Sequence, residues 1–289
     1  MLRAALGAYR HTAALRSGQV ASAKLRLQFA DVSPVNRAFA PMVREGRFDV
    51  CEMAIATFLQ AKAYGKPLVL LPVTMAARFQ EAALLCRADS PLRGPADLLG
   101  RRVGVRAYSQ TTGMWLRGIL AEDHGVPSNA VRWVTFEDAH VAEYRDPPWA
   151  ERAPAGADML AMLRAGELDA AIVGNDVPND PGLRPVFPDP DAAAEAFWRK
   201  HGFVPVNHLV TVRGELAEPD LIAEVLRMFR DAKGAAPSGA GGRDPLPAGR
   251  AALRPAIELA LRFSAEQGLL PRRFGIEEVW EGLPQEEDR

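Results

Sequence analysis

Short apolar runs alternate with amphipathic segments along nearly the whole of this chain of 289 residues. Apolar runs bounded by turn residues predict strands, whereas apolar positions three or four apart predict helices. The predicted strands span residues 2–6, 24–29, 48–50, 68–73, 82–86, 102–105, 131–136, 168–173 and 206–212. The predicted helices span residues 35–45, 54–64, 111–123, 158–163, 192–201, 219–233 and 250–268. This alternation is typical of an α/β fold with mostly parallel sheets and helices on both faces, and the polar stretch 137–154 is predicted as an irregular loop.

Composition and length narrow the class of protein. The chain is long enough for two lobes, each with its own core. Its net charge of −1 gives no electrostatic basis for binding nucleic acid or an anionic membrane, and no apolar run approaches the roughly 20 residues of a membrane span. Two cysteines fit a reducing compartment, and the first residues lack the apolar segment of a secretory signal. We therefore expect a cytoplasmic protein, or a periplasmic one if an export signal has been removed.

The most informative local pattern is the stretch 95–126, which predicts a turn, a strand, a loop and a helix. Loop 106–110 lies between the carboxyl end of the strand and the amino end of the helix. Ser109, Thr111 or Thr112 can cap this helix, whose first N–H groups have no partner within it. Such a junction attracts anions and is where open α/β sheets bind ligands. The alternative is an ordinary βα unit without a ligand.

Further motifs occur in a fixed order along the chain. They are FDVCEMA (48–54), LPV (71–73), PADLLGRRVGV (95–105), GELDAAI (166–172), RPVFPD (184–189) and VPVNH (204–208). Together with Tyr108 and the Gln110-Thr111 pair, this ordered set resembles 4,5-dihydroxyphthalate decarboxylases over residues 9–233. More loosely, the chain is similar to type 2 periplasmic binding proteins, including solute-binding proteins of ABC transporters for nitrate, sulfonates and thiamine precursors.

The resemblance implies a two-lobed α/β fold like that of the type 2 periplasmic binding proteins, with a ligand cleft between the lobes. Lobe 1 would comprise residues 1–84 and 208–289, and lobe 2 residues 85–207. The chain would cross between the lobes near residues 82–87 and 207–213. The implied activity is decarboxylation of a hydroxylated aromatic acid, and the implied ligand is a small aromatic or organic acid.

Decarboxylation of an electron-rich aromatic acid requires a proton at the ring carbon that carries the carboxylate. His208 is the first candidate donor because it matches the histidine of the family's Asn-His pair at the start of a predicted crossover strand. Histidine titrates near neutral pH and can therefore donate there. Glu52, placed between a predicted strand and a helix, is the second candidate. The alternatives are a structural histidine bonded to the backbone and a carboxylate that interacts with a helix dipole.

The remaining candidates would bind the substrate from both lobes. The candidates for hydrogen bonds to a carboxylate or hydroxyl are Thr57, Tyr108, Gln110, Thr111, Thr112, Asn175 and Asn207. A cationic clamp for the carboxylate would come from Arg10, Arg78 or Arg106, each in a loop after a strand, although many such arginines are solvated surface charges. Trp115 is expected in the core, and Arg117 is expected on the surface or in a structural role.

Four positions depart from the pattern of the resembling family. The segment 9–12, Tyr-Arg-His-Thr, replaces an acidic residue, and Glu81 stands where a histidine is usual. Arg106-Ala107 replaces Pro-Glu, and Cys51 and Ala54 replace serines. These changes favour either a different aromatic acid or the alternative function, a non-catalytic solute-binding protein of an ABC transporter for a small organic anion.

No cofactor and no metal are expected. The five histidines show no ligand spacing, and the glycines at 100 and 104 do not form a phosphate- or dinucleotide-binding pattern. Cys51 has no adjacent base, and no serine or cysteine lies in a nucleophile elbow. The sequence leaves the oligomeric state open.

Overall fold

The computed structural model describes residues 1–174, 177–236 and 243–284. Its strands, numbered in chain order, are β1 Leu2–Ala5, β2 Leu27–Phe29, β3 Val50–Ala54, β4 Leu68–Ala77, β5 Leu84–Arg87, β6 Arg102–Val105, β7 Arg132–Thr135, β8 Ala150–Arg152, β9 Ala170–Ile172, β10 Leu183–Pro185 and β11 Val206–Arg213. Its α-helices are α1 Ala13–Arg16, α2 Phe39–Glu45, α3 Ile55–Ala63, α4 Thr111–His124, α5 Met159–Arg164, α6 Pro190–His201, α7 Pro219–Ala235, α8 Arg250–Glu266 and α9 Ile276–Val279. Every predicted strand and helix overlaps one of these elements.

The strands form two mixed sheets. The first has the order β2-β1-β3-β11-β4, and the second has the order β10-β5-β9-β6-β7-β8. In the first sheet β1 is parallel to β2 and β3, whereas β11 is antiparallel to β3 and β4. In the second sheet β6 is parallel to β7 and β9, whereas β5 is antiparallel to β9 and β10. There is more antiparallel pairing than the alternation of elements predicts, because β5 and β11 enter each sheet from the other one and not through a βαβ crossover.

Two short strands are absent from the sequence prediction. β8 lies within the stretch 137–154 that is predicted as an irregular loop, so that part of the prediction was wrong. β10 lies where no strand is predicted. Both strands have three residues, stand at the edges of the second sheet and are only partly buried. A strand of this kind needs no apolar run, and the hydrophobic pattern therefore cannot reveal it.

Apolar side chains cover both faces of each sheet. The largest core cluster extends from α3 to α4 and α8 and includes Phe58, Trp115 and Phe263, which confirms the expected core position of Trp115. A second cluster joins the first sheet to α7, and a third joins the second sheet to α5. Burial of each such side chain contributes about 1.5–3 kcal/mol. Helix α8 packs against both α3, which follows a strand of the first sheet, and α4, which follows a strand of the second.

The chain crosses between the two sheets after β4 and again before β11. β4 ends in the first sheet at Ala77, β5 begins in the second at Leu84, and β11 returns to the first at Val206. The lobe boundaries drawn at residues 84 and 207 stay a prediction. In the described part of the chain, no helix has the length and apolar content that a membrane crossing requires.

Candidate active site

A cavity of about 900 Å³ opens where the two sheets face each other. Its walls come from the residues after β1, the loop 30–36, the first turns of α3 and α4, the loop after β7 and the first residues of β11. Several of these segments follow the carboxyl ends of strands, where α/β proteins bind ligands. Seven of the predicted site residues line this cavity: Thr57, Arg106, Gln110, Thr111, Thr112, Asn207 and His208.

Three other predicted site residues do not line the cavity. Glu52 is fully buried behind its wall, Tyr108 is fully buried in the core, and Arg10 is exposed elsewhere on the surface. Asn175 lies outside the described residues.

Glu52 connects Tyr9 and His208 in a buried chain of hydrogen bonds. Its Oε1 accepts from the Tyr9 hydroxyl at 2.7 Å and lies 2.6 Å from His208 Nδ1, while its Oε2 accepts from the Gly7 N–H at 2.9 Å. Burial alone would raise the pKa of the Glu52 carboxyl, but the bond to His208, its charge, and the bonds from Tyr9 and Gly7 lower it below its ordinary value. The carboxyl is therefore ionised and can only accept.

The state of Glu52 fixes the orientation of His208. Because an ionised carboxylate has no proton to give, His208 Nδ1 carries the hydrogen and donates it to Glu52. None of the described residues is hydrogen-bonded to His208 Nε2, and His208 lines the cavity. Glu52 lies inside β3, does not line the cavity and has both carboxylate oxygens hydrogen-bonded, so this geometry favours positioning of His208 over the predicted direct proton donation.

A second histidine, His140, lines the cavity from the loop after β7. Its Nδ1 lies 2.8 Å from the Thr57 hydroxyl, which belongs to the first turn of α3. Burial, followed by the charges of Arg106, Arg44 and His208, lowers the pKa of His140 to about 4. Phe39 contacts both imidazoles edge-to-face, with ring centroids 5.7 Å from His140 and 5.1 Å from His208. The site thus contains two histidines in opposite electrostatic environments.

The first turns of α3 and α4 form an anion-attracting wall. The structure corrects the predicted capping: the cap residue of α4 is Gln110, no side chain caps the helix, and the Thr111 hydroxyl accepts from the Ala56 N–H of α3 at 3.2 Å. Thr111 therefore joins the starts of the two helices. The first N–H groups of α4 have no partner within the helix, and its dipole favours a negative group there.

Two arginines line the cavity, although acidic side chains do so as well. Arg106 Nε lies 3.4 Å from Glu137 Oε2 in a partly exposed ion pair. Arg16, which the sequence reasoning missed, donates from Nη1 to the Leu6 carbonyl at 3.2 Å. Arg78 does not line the cavity; it donates to the Gly174 carbonyl and to the Thr112 hydroxyl. Of the three predicted clamp residues, Arg106 is the one that lines the cavity.

The prediction that Tyr108 contacts a ligand was wrong. Its hydroxyl donates to the Gln267 carbonyl at 3.2 Å and accepts from Trp149 Nε1 at 2.8 Å. Arg117 lies 3.9 Å above the Tyr108 ring, donates from Nη2 to the Tyr108 carbonyl and donates from Nε to Gln267 Oε1. Arg117 is thus fully buried and structural, not on the surface, and its contacts hold the loop that carries Arg106 and Gln110 into the cavity.

The sequence assigned no site role to Arg16 or to three further residues that line the cavity, Tyr9, Phe39 and His140. Tyr9 and His140 follow the carboxyl ends of β1 and β7, and that position is a signal that sequence alone provides. Phe39 and Arg16 give no such signal, since they lie on short helices and depend on the packing of the whole fold. Among the described residues, no three His, Cys, Asp or Glu side chains are grouped so that they could bind a metal ion.

The fold and the position of the site define a two-lobed α/β protein of the type 2 periplasmic-binding-protein architecture. The chain is similar over 96% of its length to the alkanesulfonate-binding protein SsuA from Xanthomonas axonopodis pv. citri bound to MOPS, with a TM-score of 0.62, 14% identity and 96% of that chain covered. It is also similar to the desulfurization enzyme DSZB, with a TM-score of 0.56, 18% identity, and 97% and 96% of the two chains covered. At these identities the likeness concerns the fold.

Sequence comparison gives a more particular relation. The chain is 29% identical over 214 residues to the 4,5-dihydroxyphthalate decarboxylase of Comamonas testosteroni, covering 67% of this chain and 63% of the relative. It is 30% identical over 169 residues to the 4,5-dihydroxyphthalate decarboxylase of Pseudomonas putida, covering 54% of this chain and 65% of the relative. These matches confirm the resemblance predicted from the ordered motifs, although the chain spans less than two thirds of either relative. No protein-family model matches the chain.

Proposed function

We propose that the protein is a carboxy-lyase that decarboxylates a hydroxylated aromatic acid held in the cavity between the two sheets. The observation that carries this proposal is the chain from Tyr9 through Glu52 to His208, which supports one imidazole at an anion-attracting cavity. A protein that only binds an anion has no need of a buried carboxylate to orient a histidine. Similarity to two proteins named 4,5-dihydroxyphthalate decarboxylase supports the same reaction class.

In this proposal the carboxylate of the substrate binds at the first turn of α4, and Arg106, which lines the cavity, is the cation that binds it. Backbone N–H groups and a guanidinium are the donors that orient a carboxylate best. The Thr112 hydroxyl and Gln110 lie beside the same turn. Binding here fixes the carboxylate that is lost and leaves the ring to face His208 and Phe39.

The chemical step is a proton transfer followed by loss of carbon dioxide. Protonated His208 donates the Nε2 proton to the ring carbon that carries the carboxylate, and a ring hydroxyl supplies electron density for this bond. The bond between that carbon and the carboxylate then breaks, its electron pair restores the aromatic ring, and carbon dioxide leaves. Neutral His208 takes a new proton from solvent. Glu52 holds the imidazole by Nδ1 throughout and thereby directs Nε2 to the substrate.

The test is release of carbon dioxide from a panel of dihydroxybenzoates and 4,5-dihydroxyphthalate, measured together with thermal shift. We expect at least one acid to be decarboxylated and the activity to fall about 10²–10⁴-fold in His208→Gln. His124→Gln is the matched control, because His124 lies at the far end of α4 and does not line the cavity.

The proposed enzymatic activity would be rejected if an acid stabilised the protein without release of carbon dioxide and His208→Gln did not change that stabilisation. This result would favour a solute-binding protein. The cytoplasmic location stays a prediction.

A further inference from the structure

His140 lines the cavity in a distinctive environment, and the proposed reaction gives it no role. It faces the same cavity as His208, and both imidazoles contact Phe39 edge-to-face, so that the two rings border one stretch of wall. His208 is backed by a carboxylate, whereas His140 is backed by the neutral hydroxyl of Thr57. Pairs of titratable groups whose surroundings differ in this way usually have different roles in a reaction.

The surroundings of His140 keep its ring neutral. Arg106 and Arg44 are the nearby cations, His208 adds to them when protonated, and burial opposes a charge as well. Arg44 also donates to the carbonyls of His140 and Ala139, so the backbone of this loop is fixed. A neutral imidazole has one donor and one acceptor nitrogen. Since Nδ1 is paired with Thr57 and no described residue bonds Nε2, one nitrogen is available to a ligand.

We propose that His140 recognises a ring hydroxyl of the substrate through a hydrogen bond at Nε2, with Thr57 as the positioning residue. This inference rests on the proposed function and narrows its substrate class. The acid would carry its reacting carboxyl-bearing carbon next to His208 and a hydroxyl on the side next to His140. An aromatic acid without that hydroxyl would leave Nε2 unpaired in a partly buried site, and such a loss weakens binding.

The test compares binding of 3,4-dihydroxybenzoate and benzoate by calorimetry, in the wild type and in His140→Leu. We expect the wild type to prefer the dihydroxy acid by about tenfold, which is the worth of one net hydrogen bond. In His140→Leu this preference should disappear while the Kd of benzoate stays within about twofold, since leucine fills the same space but cannot form the bond. The ratio of the two Kd values is insensitive to a general loss of folded protein.

Thr57→Val is the second variant and is close to isosteric. It leaves His140 in place without the partner of Nδ1, so the preference should fall by part of the same factor. An unchanged preference in both variants would overturn the proposal, as would a wild type without any preference. Equal weakening of both ligands in His140→Leu would also overturn it. The outcome is separate from the proposed function, because the Kd ratio can be measured even if none of the acids is decarboxylated.

Discussion

Replacement of Glu52 by glutamine is the sharpest test of how the site works. The amide has the size of the carboxylate, but its nitrogen cannot accept a hydrogen bond. If the amide oxygen keeps the bond from the Gly7 N–H, the amide nitrogen faces Tyr9 and His208. His208 must then turn Nδ1 into an acceptor, which is incompatible with the protonated imidazole that the proposed step requires.

The loss of stability in Glu52→Gln follows from the hydrogen bonds of the carboxylate. Two hydrogen bonds to a buried, fully ionised carboxylate are lost, each worth about 1.5–3 kcal/mol, and the removal of a buried charge offsets part of that loss. We expect Glu52→Gln to lower the free energy of unfolding by about 3 kcal/mol at pH 7. We expect kcat to fall about 10²–10⁴-fold, the usual contribution of general acid catalysis. KM should change little, because Glu52 does not line the cavity.

The pH dependence of stability gives an independent check with a definite sign. The pKa of Glu52 is lower in the folded protein than its ordinary value of 4.5. Its ionised form is thus favoured by folding, and the stabilisation is present above about pH 4.5 and lost as the pH falls through the folded pKa. The difference in unfolding free energy between the wild type and Glu52→Gln, from urea denaturation, should therefore shrink below pH 4.5.

Glu81 is the matched control, since it is also buried but does not line the cavity. Burial raises the pKa of Glu81, although backbone N–H groups of Glu81 and Gln80 favour the charged form, and its Oε1 has no described partner. The protonated Glu81 carboxyl therefore stabilises the fold below its ordinary pKa, and this stabilisation is lost as the pH rises through its pKa in the folded protein. Glu81→Gln should thus be neutral or stabilising at pH 7 with kcat unchanged. A kcat of Glu52→Gln within twofold of the wild type would refute our account of His208.

Three further changes, the first with a matched control, probe the packing and the anion site. In thermal denaturation, Gly118→Ala should lower stability by about 1–3 kcal/mol, because the new methyl would lie 2.0 Å from the Phe263 ring. Its control is Gly234→Ala, which lies in open space near the end of α7 and should be neutral or slightly stabilising. Arg117→Met should cost about 2–4 kcal/mol in urea unfolding, since it leaves two buried acceptors unpaired. Arg106→Gln should raise KM for the acid about tenfold with a smaller effect on kcat, and an unchanged KM would remove it from the carboxylate site.

The parts of this protein that sequence predicts well are those set by local pattern. β6 and the start of α4 follow from a short apolar run, a turn and helical periodicity, all within 30 residues, and they place Gln110, Thr111 and Thr112 at the cavity. Arg106 follows from its position after a strand. These inferences need only neighbouring residues and the rule that ligands bind where strands end, whereas His208 was identified through the resemblance to the family's Asn-His pair.

The parts that sequence predicts poorly depend on contacts between distant residues. Glu52 meets Tyr9 across 43 positions and His208 across 156, and nothing in the local pattern distinguishes a buried, paired carboxylate from one that faces a ligand. For the same reason the sequence left Arg117 open between the surface and a structural role, since a polar residue two positions after Trp115 is normally solvated; the structure shows the structural role. Its partner Gln267 directly follows α8, 150 positions away. Charged residues are almost never fully buried unless paired, and the pairing is visible only in the fold.

The different charged neighbours of the two histidines support a catalytic role for this cavity more strongly than the anion-attracting wall does. Helix N-termini and an arginine are sufficient to bind an organic anion. A buried Glu52 costs folding free energy that is recovered only through its three hydrogen bonds, and the outcome is an imidazole with a fixed tautomer and an open Nε2. Beside it, His140 is kept neutral by burial and by two arginines. Two imidazoles with different surroundings thus contact Phe39 in one cavity, and this asymmetry supports the proposal of an aromatic acid that is protonated at one carbon and recognised at another.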